Sequence, residues 1–264
     1  MENTNNLNRK PRIELLDELR GLAVFCMIFY HAFYIGMSYF VSAFSDRAFD
    51  FFLPLQPFFS SLFIVICGVS SRLSRNNFKR GMILLAIAIG FSLATIFVLP
   101  LIGVQRAEIR FGILNLLSFS ILLFSLLRPL LEKINPAVGA LVCLLLYSLT
   151  GGVAKGYLGL PFLRLDLPGS FYQLPYLFPI GIYNREFYSA DYFPLLPNFF
   201  MFLAGAFLGV YVKNGRVPQF AYKKYVPFFG FLGRQSLIIY IAHAPVIYFI
   251  FFIVEKITRM GSGI

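Results

Sequence analysis

The sequence predicts an all-α fold, a polytopic transmembrane helix bundle of about seven spans. The first observation behind this prediction is composition: 58% of the 264 residues are hydrophobic, Phe alone accounts for 33, and only 13% are charged. A soluble domain of this length needs more charge on its exterior, so a soluble protein is excluded. The second observation is spacing, because the apolar residues fall into runs close to the roughly 20 residues that a helix needs to cross a bilayer.

The apolar runs follow one another without a charge-rich linker, a second domain or an internal repeat. The predicted spans cover about 21–41, 52–71, 81–102, 111–127, 136–150, 194–212 and 235–254. A further apolar stretch at 171–183 is interrupted by Pro175 and Pro179. Proline removes a backbone donor, so this stretch predicts a re-entrant or interfacial segment, or else an eighth span.

The ends of the chain complete the predicted organisation. The first 20 residues are polar, and no small-residue cleavage site follows the first apolar run, so that run is a retained span rather than a signal peptide. The predicted parts are a cytoplasmic juxtamembrane segment at 1–20, one transmembrane domain at 21–254 with an outer loop at 151–193, and a short tail at 255–264.

The distribution of Lys and Arg predicts the orientation of the bundle. With the N-terminus inside, the cytoplasmic segments carry 15 of these residues and the outer segments carry 8. Cytoplasmic loops are enriched in Lys and Arg, so the sequence predicts a cytoplasmic N-terminus and an outer C-terminus. The same bias accounts for the formal net charge of +11, so no nucleic-acid partner is needed to explain it.

The chain contains two histidines, and both His31 and His243 fall within predicted spans. An ionisable residue in hydrocarbon is costly, about 2.5–3.5 kcal/mol for a charged one, and it usually marks a functional site. Both lie about 13–16 Å along their helices from a basic residue at the cytoplasmic end, so their predicted depths are similar. The alternative is a pair of interhelical hydrogen bonds that only stabilise the bundle. The three cysteines are scattered in apolar runs, which predicts free thiols and no metal site.

Charged residues at the cytoplasmic rim form a second candidate site. Asp17 and Arg20 are three residues apart on one helical face, directly before the first span. Further arginines close the second span and open the last one, namely Arg72, Arg75 and Arg234. Because arginine binds phosphate with two donors, this rim is a candidate site for an anionic cytosolic ligand. The alternative is ordinary topology-setting charge that attracts anionic lipid.

The outer side carries fewer polar residues, and three of them are candidates for substrate binding: Arg110, Asn115 and Asp191. Asn115 lies one turn inside the fourth span, where an amide requires a partner. Asp191 begins the segment DYFPLLP, which is either a rigid rim for a substrate or a helix start with an aspartate cap. Gly205 and Gly209 form a GxxxG pattern, which suits close helix packing within the bundle or in a homodimer.

Several of these residues belong to motifs that resemble one known family. The motifs are LLDELRGLAVFCMIFYH (15–31), GVSSRLSRNNFKRG (68–81), RFGILNLLSFS (110–120), DYFPLLPNF (191–199) and LGRQSLIIYIAHAPV (232–246). In this order they are similar to the heparan-α-glucosaminide N-acetyltransferase catalytic-domain family, in its short bacterial branch. The resemblance covers nearly the whole chain.

The resemblance implies transfer of an acetyl group from cytosolic acetyl-CoA to an amine on a sugar or glycan acceptor, across a bacterial cytoplasmic membrane. It places six residues at matching motif positions: Asp17, Arg20, His31, Asp191, Arg234 and His243. Larger relatives carry a catalytic histidine in the first outer loop, whereas residues 42–51 contain none. Asp50 is the expected outer substitute, beside His31 and His243 as catalytic residues.

The residues leave two other classes of protein open. A small proton-coupled transporter would also use histidines within its spans, although the missing inverted repeat argues against it. A non-catalytic membrane scaffold would keep the fold without the reaction. The predicted partners are therefore the lipid bilayer, acetyl-CoA, a sugar or glycan acceptor and a second copy of the chain.

Overall fold

The computed structural model describes residues 12–40, 42–160 and 162–261, and most of them are helical. Within these ranges, seven helical segments are long and apolar enough to cross a membrane: Glu14–Phe40, Ala43–Leu73, Asn77–Leu101, Ile113–Leu131, Pro136–Lys155, Leu195–Lys213 and Ser236–Thr258. The predicted all-α polytopic fold is confirmed, and the protein is an integral, multi-pass membrane protein. Arg9 and Lys10, counted for the orientation, lie outside the described residues.

The helices of the chain are α1 (Glu14–Phe40), α2 (Ala43–Phe52), α3 (Gln56–Leu73), α4 (Asn77–Leu93), α5 (Leu99–Leu101), α6 (Ile113–Leu131), α7 (Pro136–Thr150), α8 (Leu195–Lys213), α9 (Pro227–Arg234) and α10 (Ser236–Gly261). Two strands, β1 (Tyr157–Leu160) and β2 (Leu163–Asp166), form an antiparallel hairpin. The chain divides into unit 1, Met1–Phe63 with Val217–Ile264, and unit 2, Ile64–Arg216.

Unit 1 is built around α1, which packs against α2, α9 and α10. The helix begins at Glu14, so residues 14–20 of the predicted juxtamembrane segment are its first two turns. The second predicted span also begins earlier, at α2, whose N-terminus is capped by the Ser42 hydroxyl accepting from the Ser45 amide. The apolar runs predicted both helices. Each helix also includes polar residues before its apolar run and is therefore longer than predicted.

Two glycines set the distance between α1 and α9. A Cβ added at Gly21 would overlap the carbonyl of Phe229, and one added at Gly233 would overlap the carbonyl of Asp17. Only glycine allows two helix backbones to come this close. Each glycine is followed or preceded by an arginine, Arg20 beside Gly21 and Arg234 beside Gly233, so both arginines leave the backbone at the same helix contact.

Unit 2 has the same kind of contact between α3 and α8. A Cβ added at Gly205 would overlap the carbonyl of Val65, and Gly209 faces Val69 at a distance that leaves little room for a side chain. The GxxxG pattern therefore packs within the chain. Elsewhere in this unit, α4 packs against α6 and α7 packs against α8. Its most buried large side chains are Phe124, Phe202, Ile64, Leu116 and Ile121.

The segment from 151 to 193 excludes one of the two predicted alternatives and contains an element that was not predicted. The stretch 171–183 forms 3-10 turns at Gly169–Gln173 and Phe178–Ile180 instead of a spanning helix, so the eighth-span alternative is wrong. Prolines at 175 and 179 withhold the backbone donors that a helix requires. The β1–β2 hairpin, which the sequence analysis did not predict, precedes these turns.

Candidate active site

The two histidines meet inside unit 1. His31 on α1 and His243 on α10 have ring centroids 4.9 Å apart, with 60° between the ring planes. His243 is buried, and His31 is half-buried. Their similar predicted depth was correct, and the helix rotation that the sequence does not reveal turns them toward each other. Two titratable rings are thus in contact within spanning helices.

A backbone carbonyl fixes the state of His243. Its Nδ1 lies 2.6 Å from the carbonyl oxygen of Tyr240, one helical turn earlier. A carbonyl oxygen only accepts, so Nδ1 carries the ring proton and donates it there. In the neutral ring Nε2 is then the nitrogen able to take up a proton. His243 is therefore oriented for proton transfer through Nε2.

Aromatic rings surround the histidine pair. Tyr30 stands perpendicular to His31 with ring centroids 5.4 Å apart, and Tyr240 lies 5.4 Å from His243. Tyr30 in turn packs against Phe49 at 5.2 Å. Apolar rings exclude water from a site, and this strengthens the electrostatic interactions inside it.

The predicted rim at the start of α1 is a compact cluster of charges. Asp17 is buried and accepts hydrogen bonds from Arg12 at 2.5 Å and from Arg20 at 2.8 Å. The hydrogen bond to Asp17 raises the pKa of Arg12. Glu14 lies 3.8 Å from Arg234 and 3.9 Å from Lys224. Asp17 and Arg20 thus form the pair that their spacing predicted, and Arg234 reaches Glu14 on the same helix from α9.

Sequence reasoning missed Glu18, which lies between the two residues of that pair. Glu18 is buried, and its Oε1 accepts from the backbone amides of Tyr225 at 2.8 Å and Val226 at 3.0 Å. It thereby holds the start of α9, which carries Arg234 at its other end. Its partners follow some 200 residues later, so no local pattern in the sequence identifies this role.

Asp50, Arg72 and Arg75 have surroundings that differ from those of the charge cluster at the start of α1. Asp50 is exposed on α2, and the described residues give it neither a hydrogen bond nor an ion pair. In unit 2, Arg72 is buried and lies 3.7 Å from Glu132, whereas Arg75 is exposed. Glu132 also accepts from Arg128 at 2.9 Å, and this hydrogen bond lowers the pKa of Glu132.

The three predicted substrate-binding residues gather near the start of α6. Asp191 is buried, and its Oδ2 accepts from the Ile113 amide at 3.2 Å. The Asn115 side chain accepts from the Gly112 amide at 3.1 Å. Arg110 is exposed and pairs with Glu108 at 3.0 Å. Asp191 therefore acts as a cap, but for α6 and not for the helix that follows it in the chain.

An open cleft of about 860 Å³ lies in the loop after α7. Its lining combines aromatic, amide and charged side chains, including Tyr172, Gln173, Tyr183, Asn184, Arg185 and Glu186. The Tyr183 ring packs 5.2 Å from Tyr192, the neighbour of Asp191. Sugars offer hydroxyls to amides and C–H faces to aromatic rings, so this cleft is a further candidate for an acceptor. Its residues come from several short stretches of the loop, and no spacing pattern predicted them.

Neither a metal cluster nor a disulfide is found in the part of the chain that the structure describes. Within it no group of three or more His, Cys, Asp or Glu side chains is placed to hold a metal ion, and Cys26, Cys67 and Cys143 are free thiols.

Comparison with known proteins identifies the family. The family model described as heparan-alpha-glucosaminide N-acetyltransferase, catalytic, matches residues 12–245. No curated protein and no solved structure matches the chain. The matched region includes both histidines, the charge cluster at the start of α1 and the Asp191 segment. The chain therefore belongs to the heparan-alpha-glucosaminide N-acetyltransferase catalytic family, a family of membrane acetyltransferases.

Proposed function

We propose that this protein transfers an acetyl group from acetyl-CoA to an amine or hydroxyl of a sugar or glycan acceptor. The observation that carries the proposal is the contact between His31 and His243 inside the spanning helices of unit 1. An acceptor amine must lose a proton as it attacks a thioester, and a positioned histidine is the most frequent group for that transfer. The family match supports the acetyl group as cargo.

The proposed reaction uses the histidines as proton carriers. The acceptor nitrogen forms a bond to the acetyl carbon, the carbon–sulfur bond breaks, and its electron pair leaves with the sulfur of CoA. The proton released by the nitrogen passes to His31 and from there to the sulfur. His243 lies against His31, and its Nδ1 bond to Tyr240 keeps Nε2 as its basic nitrogen.

The donor is proposed to bind at the charge cluster of unit 1 through its phosphate groups. Arg20 and Arg234 leave the backbone at the Gly21–Gly233 contact, and Arg12 and Lys224 add further positive charge around them. Guanidinium groups bind phosphate oxygens with two parallel donors. Asp17 holds Arg20 in place, so this arginine presents a fixed geometry to an anion.

Binding of CoA tests this donor site. The variants Arg20→Lys and Arg234→Lys keep the charge but lose the planar fork, so each is expected to weaken CoA binding about ten-fold, near the 1.5 kcal/mol of one charged hydrogen bond. Thermal stabilisation of the purified protein by CoA gives the measurement. Arg164→Lys in the β1–β2 hairpin is the matched control. If all three variants bind CoA as the parent does, the charge cluster does not bind CoA and only sets the orientation of the helices in the membrane.

The acceptor is proposed to bind in unit 2, at Arg110, Asn115 and Asp191 or in the neighbouring cleft lined by Tyr172 and Tyr183. An acceptor screen with labelled acetyl-CoA in membranes tests the reaction itself. Label should move to a saccharide with an amine or a free hydroxyl. Substitution of cleft residues should then raise KM for that saccharide. Failure to label any acceptor, together with proton flux through reconstituted vesicles, would support the transporter alternative instead.

The orientation follows the distribution of basic residues. We expect the N-terminus in the cytosol of a bacterial cell and the C-terminus outside, which puts the unit 1 charge cluster where acetyl-CoA is available. A reporter fused to the C-terminus, active only in the cytosol, is expected to be silent. An active reporter would show that the bundle is reversed or has another span. It would also remove the argument that the charge cluster of unit 1 can bind cytosolic acetyl-CoA.

A further inference from the structure

The β1–β2 hairpin has two chemically different faces. Leu158 lies opposite Leu165 and Leu160 lies opposite Leu163 in the register. Side chains alternate between the faces of a strand, so these four leucines share one face. The other face carries Tyr157, Gly159, Arg164 and Asp166. On it, Arg164 lies 3.5 Å from Asp166 and stacks over the Tyr157 ring.

On the leucine face, Leu158 and Leu160 are half-buried, whereas Leu163 and Leu165, with Phe162 at the hairpin tip, are open to the surroundings of the chain. Phe162 is 84% exposed, Leu163 is 76% exposed and Leu165 is 68% exposed. A two-stranded hairpin is marginally stable in water, and an apolar face on it needs a cover. The charged side chains of the polar face pair with each other. Only the leucine face therefore lacks contacts that would cover it.

The hairpin is fixed to the end of a membrane-spanning helix. The Tyr157 amide donates to the carbonyl of Gly152, and the Leu167 amide donates to that of Gly156 at 2.8 Å. The Tyr172 hydroxyl donates to the carbonyl of Val153. Gly156 has φ of +93°, a conformation that favours glycine and turns the chain from the helix end into β1. The hairpin therefore stays at the level where α7 leaves the hydrocarbon.

The hairpin packs against α7 through β1, so it lies beside a helix that is long and apolar enough to cross the membrane. That helix exposes apolar side chains along its length, namely Val138, Leu141, Val142, Leu144 and Leu145. At its end the exposed Lys155 supplies positive charge, and Arg164 supplies more from the hairpin. Apolar groups flanked by basic side chains are the pattern of segments that lie in the membrane interface.

We propose that the leucine face is seated in the interface of the bilayer that α7 crosses. Phe162, Leu163 and Leu165 enter the boundary between headgroups and acyl chains. Lys155 and Arg164 meet the lipid phosphates. The hairpin thereby anchors the loop 151–193, and with it the cleft lined by Tyr172 and Tyr183, at a constant height above the hydrocarbon.

The chain contains no Trp, so a single introduced Trp reports on one position without background. Leu165→Trp places the probe on the leucine face, and Asp166→Trp places it one residue away on the polar face. Phe162→Trp exchanges one aromatic ring for another at the tip and guards against misfolding of the first variant. Each full-length variant is reconstituted in vesicles of phosphatidylcholine and phosphatidylglycerol, with and without brominated acyl chains.

Brominated lipid is expected to quench Leu165→Trp and Phe162→Trp at least two-fold more than Asp166→Trp, whereas aqueous iodide shows the reverse order. Quenching of Leu165→Trp and Phe162→Trp by iodide but not by brominated lipid would overturn the proposal, because the face would then meet water. Protection of both probes from both quenchers would also overturn it, in favour of a protein cover such as a second copy of the chain.

Discussion

The candidate residues on α1 in unit 1 and those around the start of α6 in unit 2 have different kinds of partner. In unit 1 the buried His243 contacts another titratable ring, that of His31, and Asp17 holds two arginines. In unit 2 the buried Asp191, Asn115 and Asn77 bind the backbone at Ile113, Gly112 and Ser71. Backbone partners stabilise helix ends, whereas pairs of titratable side chains are suited to proton transfer and anion binding. Burial alone does not distinguish a residue that takes part in a reaction from one that only stabilises a helix end. The kind of partner that the buried residue contacts does.

The largest expected effect concerns the histidine pair. His31→Gln keeps hydrogen-bonding capacity but takes up no proton near neutral pH, so acetyl transfer should fall about 10²–10⁴-fold. CoA binding and thermal stability should stay at the parent level, measured on the same preparation. Near-parent turnover in His31→Gln combined with loss of turnover in Asp50→Asn would move the chemistry from the histidine pair to α2.

The next effect concerns the helix contact that positions the charge cluster. Gly21→Ala forces a Cβ against the Phe229 carbonyl, and such overpacking costs about 1–3 kcal/mol. The midpoint of thermal unfolding should fall by about 2–4 °C for each kcal/mol, and CoA binding should weaken with it. Gly90→Ala on α4 is the matched control, because an added Cβ there meets no other side chain or backbone within 4 Å. Equal midpoints for both variants would show that α1 and α9 accommodate the added Cβ at position 21 without loss of stability.

A smaller effect is expected from the cap in unit 2. Asp191→Ala removes the carboxylate that accepts from the Ile113 amide, and the loss of a helix cap costs about 1 kcal/mol. Thermal unfolding measures this cost, with Asp166→Ala on the exposed hairpin as the control. A raised KM for the acceptor with unchanged stability would instead favour the substrate contact predicted for Asp191 from the sequence.

The smallest effect is a pH dependence at Glu132. The hydrogen bond from Arg128 holds the pKa of Glu132 below its ordinary value. Its contribution to stability is therefore complete above the unfolded-state pKa of about 4.3 and is lost as the pH falls below it. The carboxylate is partly exposed, so the contribution should stay under about 1 kcal/mol. Glu132→Gln should lower the midpoint slightly at pH near 6 and converge with the parent near pH 3. A constant difference across this range would contradict the ion-pair origin.

Membrane architecture was predictable because the bilayer imposes a length and a polarity on each span. Helix α10, for example, was expected over 235–254 and is found over Ser236–Gly261, with Pro245 inside it. The failures lie outside the spans. Leucines alternate with other residues over the β1–β2 hairpin, but the sequence was read for runs of span length and this short pattern was not used. The eighth-span alternative arose from apolar content alone.

The sequence named candidate residues but not their contacts. His31, His243, Asp17, Arg20 and Arg234 were named from their positions in spans and motifs. The structure places His31 against His243 and Asp17 against Arg20, whereas Arg234 lies beside Glu14, which the sequence analysis did not name. Glu18 and the cap function of Asp191 were not foreseen, because their partners are remote in the chain and are backbone amides.

The sequence by itself determined that the chain is a multi-pass membrane protein of this family, since runs of about 20 apolar residues and ordered motifs are local properties. Tertiary structure decided which helix faces meet. The rotation of α1 and α10 about their own axes puts His31 against His243, and the close approach of α1 and α9 at Gly21 and Gly233 puts Arg234 beside Glu14. Such rotations depend on side-chain packing between segments that are far apart in the chain, and apolar content alone leaves them open.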